Sequence, residues 1–151
     1  MIGAELIKEL REKTGISIAE CKKALEAAGG NLEQAILALK ARGAEIAAKK
    51  GDRTLAAGVV TSYLHGGTIG ALVEVHAETD FVAKNDGFRQ LAEDVAMQVA
   101  AMDPADTATL LAQPFIKDQS LTINDLIQNA VQKFGERIEV IRFARFSTDA
   151  R

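Results

Sequence analysis

The hydrophobic period of this chain changes near Gly58, and no single type of secondary structure can bury both halves. Before that point apolar residues recur every third or fourth position, the spacing of one helical face. After it, Ile69, Ala71, Val73 and Val75 alternate with more polar neighbours, and helical spacing returns only at Phe88, Leu91, Val95 and Val99. The pattern predicts an all-helical unit followed by an α+β unit.

In the first unit, residues 1–43, Leu6, Ile7 and Leu10 mark a helix that stops at Thr14-Gly15. Ser17 with Glu20 three residues on has the capping-box arrangement and starts a second helix carrying Cys21, Ala24 and Leu25. Gly29-Gly30 breaks that helix. Asn31 caps a third, with Leu32, Ala35, Ile36 and Leu39 as its stripe and Gly43 as its end. A bundle of about 40 residues is short for a lone core, so it is expected to lean on something else. Residues 44–56, rich in Ala and Lys with Gly51-Asp52 inside, read as a helical or semi-ordered linker.

Residues 57–151 form the expected α+β core. Two β-rich runs flank His65-Gly66-Gly67-Thr68, a hairpin with a glycine turn, and Glu74 and His76 point away from the buried face of the second run. A long helix from about residue 86 to 101 exits at Pro104. After it come a short tether, an extended segment at residues 113–116, a helix capped near Thr122 or Asn124, and a terminal strand at residues 138–143.

The chemistry-bearing residues are few. Cys21 sits inside a predicted helix with no histidine in its unit, which disfavours a small hydrolase using Cys21 or His65 and makes Cys21 a buried free thiol. No phosphate-binding loop and no Cys/His zinc spacing is present, so no cofactor or metal is expected. A net charge of −3 and an isoelectric point near 5.4 disfavour direct nucleic-acid binding. No apolar run approaches the roughly 18 residues of a membrane helix, and the N-terminus lacks a signal layout, so a cytoplasmic protein away from membranes is expected. Thr79-Asp80-Phe81-Val82 lies between a buried strand and an amphipathic helix. Either this turn presents Phe81 for recognition, or Thr79 or Asp80 caps a helical turn and Phe81 folds back into the core.

Leu10-Arg11-Glu12-Lys13-Thr14-Gly15 with Glu20-Cys21-Lys22-Lys23-Ala24-Leu25, and Glu78-Thr79-Asp80-Phe81-Val82-Ala83-Lys84-Asn85 in the same order further on, resemble the two signatures of the bacterial elongation factor Ts family. Tyr63-Leu64-His65-Gly66-Gly67, Gln113-Pro114-Phe115-Ile116-Lys117-Asp118 and Phe134-Gly135-Glu136-Arg137-Ile138 extend the resemblance over nearly the whole chain. It implies a three-helix domain of the ubiquitin-associated type, then a small antiparallel three-stranded sheet packed with helices. It also implies a non-enzymatic exchange factor that binds elongation factor Tu in its GDP form. Docking would fall on Leu10, Arg11, Ile18, Ala19 and Lys22, with His65 meeting another domain of the partner. Residues Thr79, Asp80, Phe81 and Val82 would enter beside the partner's magnesium and phosphate site, Phe81 as a wedge oriented by Asp80. The competing reading is a helical adaptor for ubiquitin-like or other partners whose core merely dimerises.

Two departures from the family pattern stand out. His76-Ala77 replaces the usual Asn-Cys at a strand end, and only residues 105–109 intervene between Pro104 and Leu110, where single-core relatives carry some tens of residues of charged helix. Longer relatives resemble two cores in one chain, so a homodimer is expected to restore the double core. It would pair through a terminal strand whose Ile138, Val140, Ile141, Phe143 and Phe146 are apolar on both faces. The alternative is a monomer with the second sheet face covered by residues 113–117.

Overall fold

A computed structural model describes residues 2–149. Helix α1 (Ala4–Thr14) ends at Gly15, whose φ of 71° lets its N–H close on Arg11 O. Only half of the expected box forms at α2 (Ile18–Ala27). Ser17 Oγ accepts from the Glu20 N–H at 3.3 Å, but the Glu20 carboxylate turns outward to Arg42 at 3.5 Å instead of returning to the cap. Leu10, Ile16, Cys21, Leu25, Ala35 and Leu39 close the helical core. The Cys21 thiol is pushed up in pKa by burial and faces Ile16 O at 3.5 Å and Thr14 Oγ1 at 3.9 Å, so it is protonated and has no histidine as polar neighbour.

Gly43 does not end the third helix. Helix α3 (Leu32–Lys49) runs through it for six more residues, and the expected linker is helical as far as Lys49. The glycine answers a packing need rather than a turn. A Cβ there would lie 2.6 Å from Gln132 Nε2 and 3.3 Å from Gln128 Cβ, on a helix labelled α7 below. The same junction holds the Gln132 amide donating to Leu39 O at 2.9 Å and the Lys40–Asp125 pair at 3.4 Å, while Ile46 packs against the core of the α+β unit. The small bundle thus leans on α7. Helix propensity alone would reward losing this glycine by up to about 1 kcal/mol. Gly43→Leu should instead lower stability by about 1–3 kcal/mol through overpacking, read by urea melting, and a gain in stability would disprove the close contact.

Strands β1 (Ala57–His65) and β2 (Ile69–Ala77) form the hairpin, and β5 (Glu139–Ser147) pairs antiparallel on the other side of β2, giving the order β1-β2-β5. Ala71, Val73, Val75 and Ala77 point inward onto α5 (Asp86–Met102), whose Phe88, Leu91, Ala92, Val95, Ala96 and Val99 face them. Between β2 and α5 lies one helical turn, α4 (Asp80–Ala83). The expected tether after Pro104 contains a further helix, α6 (Thr107–Ala112), capped by Asp106 and holding Leu110 fully buried.

Residues 113–122 fold as a small second hairpin, β3 (Pro114–Phe115) and β4 (Asp118–Thr122). Gln98 of α5, fully buried, secures it by donating to Pro114 O at 3.0 Å and accepting from the Ile116 N–H at 3.0 Å. Phe115 joins the core on the α5 side, so residues 113–117 do not cover the other sheet face. A full capping box forms at Thr122 and Asp125, which starts α7 (Ile123–Phe134), the last helix before β5. On the open sheet face Val60, Leu64, Leu72 and Phe146 are exposed.

Candidate partner-binding surface

Thr79 caps α4, its Oγ1 accepting from the Val82 N–H at 3.3 Å. One arm of the alternative read from the sequence, the helical cap, therefore forms. The other does not: Phe81 is 85% exposed, its ring held off the core by the same turn that buries Val82 and Ala83. Asp80 is exposed beside it. Val82, expected in the contact group, faces inward and anchors the turn, because a single helical turn resting on a core must bury one side.

The loop before β5 fastens this turn. Glu136 Oε1 accepts from the Glu78 and Thr79 N–H groups, each at 3.0 Å, and Glu136 Oε2 accepts from the Thr79 hydroxyl at 2.8 Å. Glu78 Oε2 in turn accepts from the Arg137 N–H, and Arg53 Nη1 lies 3.3 Å from Glu78 Oε1. In the sequence, residues 134–138 stand out only through the family resemblance. A two-carboxylate exchange across about 58 positions of chain leaves no periodic signal to find.

Of the docking residues, Arg11, Ile18, Ala19 and Lys22 are exposed on α1 and α2, whereas Leu10 is fully buried and supports this face from beneath. Ala4, Ile7, Lys8, Arg11, Glu12 and Ile18 line a cleft of about 570 Å³ that Lys133 of α7 completes. Lys133 is a contributor that the sequence did not indicate. Three cations against one carboxylate over an apolar floor suit an acidic, partly apolar protein surface. His65 lies exposed at the hairpin tip, 3.1 Å from the Tyr63 hydroxyl, and shares no contact with Cys21. On the open sheet face, the Arg142 guanidinium at 2.7 Å and then His76 at 2.6 Å hold the Glu74 carboxyl below the usual carboxylate range.

Among the described residues no group of three or more His, Cys, Asp or Glu could hold a metal ion, and no helix is long and apolar enough to cross a membrane.

A family model described as elongation factor TS matches residues 78–151, and one described as a UBA-like domain matches residues 4–38. Elongation factor Ts of Thermodesulfovibrio yellowstonii is 40% identical, over 96% of this chain and 95% of its own length. The proteins of the same name from Synechococcus sp. (strain JA-3-3Ab) and Desulforamulus reducens are 42% and 41% identical, over 96% of this chain and 68% and 88% of theirs. The first alignment runs over 189 positions, more than the 151 residues of this chain, so that relative carries some tens of residues that are missing here. With matches of this extent on both units, the chain belongs to the elongation factor Ts family.

Proposed function

We propose that this chain is a cytoplasmic guanine-nucleotide exchange factor for elongation factor Tu, and that it acts without breaking or making a bond. The observation that carries the reading is Phe81, a large apolar ring held in solvent on a capped turn with its backbone fastened on both sides. An exposed aromatic on a rigid mount loses little conformational freedom on binding and is the residue type that dominates binding energy. Inserted beside the partner's magnesium and phosphates, it displaces the groups that hold the largest local charge on the nucleotide. The rest is linkage: a protein that binds nucleotide-free Tu more tightly than Tu·GDP weakens GDP binding by the same factor.

The exposed face of α1 and α2 supplies the docking contact, with Arg11, Ile18, Ala19 and Lys22 on the surface. The test is release of labelled GDP from elongation factor Tu into excess unlabelled GDP. Sub-stoichiometric amounts of this protein should accelerate release, and unchanged release would end the proposal. Docking and wedge separate in the same assay. Ile18→Asp, at a side chain 55% exposed, should raise the half-saturating concentration roughly tenfold while leaving the maximal rate near its original value. A lowered maximal rate with unchanged half-saturation would contradict the division of roles.

The reading includes a second copy of this chain. The open sheet face carries Leu64 and Phe146, each 76% exposed, and nothing among the described residues covers it, which supports a homodimer paired through that face.

A further inference from the structure

The turn that carries Phe81 is too short to hold itself. A single helical turn fixes several backbone dihedrals for very few hydrogen bonds, and burial of Val82 and Ala83 leaves the aim of the neighbouring ring to the backbone that enters the turn. That entry is where Glu136 acts. Its carboxylate takes both N–H groups at the junction and the Thr79 hydroxyl, and the same hydroxyl oxygen accepts from the Val82 N–H, so Thr79 is fixed by a donor contact and an acceptor contact at once. Hydrogen bonds to an ionised acceptor are the shorter and stronger kind.

Glu136 is itself held in place. The next N–H, of Arg137, goes to Glu78, and the Arg137 guanidinium donates to Arg53 O at 2.7 Å and lies 2.6 Å from Glu139. Arg53 belongs to the segment leading out of α3, so the clasp ties that segment, the turn and the start of β5 to one node. Glu136 does not touch Phe81. It bears on the ring only through the backbone of residues 78 and 79.

We infer that Glu136, locked by the Glu78–Arg137 exchange, is a positioning residue that sets the aim of Phe81, and that it governs how fast GDP is released rather than how tightly the factor docks. The inference rests on the exchange reading above. The full-length protein carries the test, in Glu136→Ala, Glu136→Gln, Phe81→Ala and the double variant Phe81→Ala with Glu136→Ala. The measurements are maximal GDP release, half-saturating concentration, thermal melting, and amide hydrogen exchange at residues 78 and 79.

Glu136→Ala should lower the maximal rate roughly tenfold, short of the roughly hundredfold that a misplacement of about 1 Å can cost, with half-saturation changed less than about twofold. Amide exchange at residues 78 and 79 should accelerate. Glu136→Gln keeps an acceptor oxygen for both N–H groups and should recover most of the rate. With Phe81 already alanine, Glu136→Ala should change the rate by less than about twofold, because a residue acting through another has nothing left to act on. Should Glu136→Ala not fold, Glu136→Asp, which keeps the charge but is one methylene shorter, must show the same pattern at smaller size. A full rate in Glu136→Ala, unaltered amide exchange in that variant, or an equal loss with and without Phe81 would overturn the inference alone. Phe81→Ala releasing GDP at the wild-type rate would overturn the wedge reading and this inference with it.

Discussion

Phe81→Ala should slow GDP release from elongation factor Tu by roughly thirtyfold or more at limiting factor while leaving the melting temperature of the protein unchanged. The two halves of that expectation come from one number. At 85% exposure the ring contributes almost nothing to the folded chain's own packing, and surface substitutions of this kind stay within about 0.5 kcal/mol. The same ring, filling a pocket on the partner as GDP leaves, behaves as a buried aromatic anchor for that state, and its truncation costs on the order of 2 kcal/mol or more of the binding that drives release. The turn itself survives the change, since Thr79 Oγ1, Val82 and Glu136 hold it without using the ring. GDP release matching wild type with unchanged melting would eliminate the wedge. A collapse in stability would mean that the ring packs inward in solution, the arrangement that composition alone left open.

What the sequence made legible was periodic. The alternation of Ala71, Val73 and Val75 fixed the buried face of β2 because side chains in a strand can only alternate, and the spacing of Phe88, Leu91, Val95 and Val99 did the same for α5. Gly15 and Asn31 marked helix ends correctly, since a left-handed φ and a side-chain cap are local requirements. Gly43 misled for the converse reason. A glycine kept for close approach to α7 looks the same in sequence as a glycine kept for a turn, and only Gln132, 89 positions later, distinguishes them. The resemblance implies contact roles for Leu10 and Val82, whereas both are buried and support the exposed residues beside them, a difference that a shared stretch of sequence does not mark. The clasp of Glu136, Glu78 and Arg137 was illegible because its members meet only after β2 and α7 have been placed.

Leu72→Asp should leave the fold intact and convert the protein from a dimer to a monomer. Leu72 sits on the open face of the central strand, directly across from Ser62 on β1 and Ala144 on β5. Two positions along, Gly70 lies opposite both Leu64 and Phe146, and a Cβ there would be 2.8 Å from Leu64 Cδ2, so Leu64 folds over the glycine and the three side chains make one apolar surface. Glu74, Arg142 and His76 form its polar edge.

In the free chain residue 72 is half in water, at 49% exposure, and a carboxylate there costs at most the modest strand preference, under about 1 kcal/mol. In a two-fold pairing through this face the same position is buried on both copies at once, and each unpaired carboxylate then carries a desolvation penalty of several kcal/mol. That weakens association by far more than a hundredfold. Sedimentation equilibrium at micromolar concentration reads the outcome directly. Wild type should give twice the 16.1 kDa of one chain, and Leu72→Asp should give one chain with an unchanged melting curve on the monomer scale. A wild-type mass near 16.1 kDa would sink the dimer. A variant that stays dimeric would move the interface off this face, to the unpaired edge of β1 or β5.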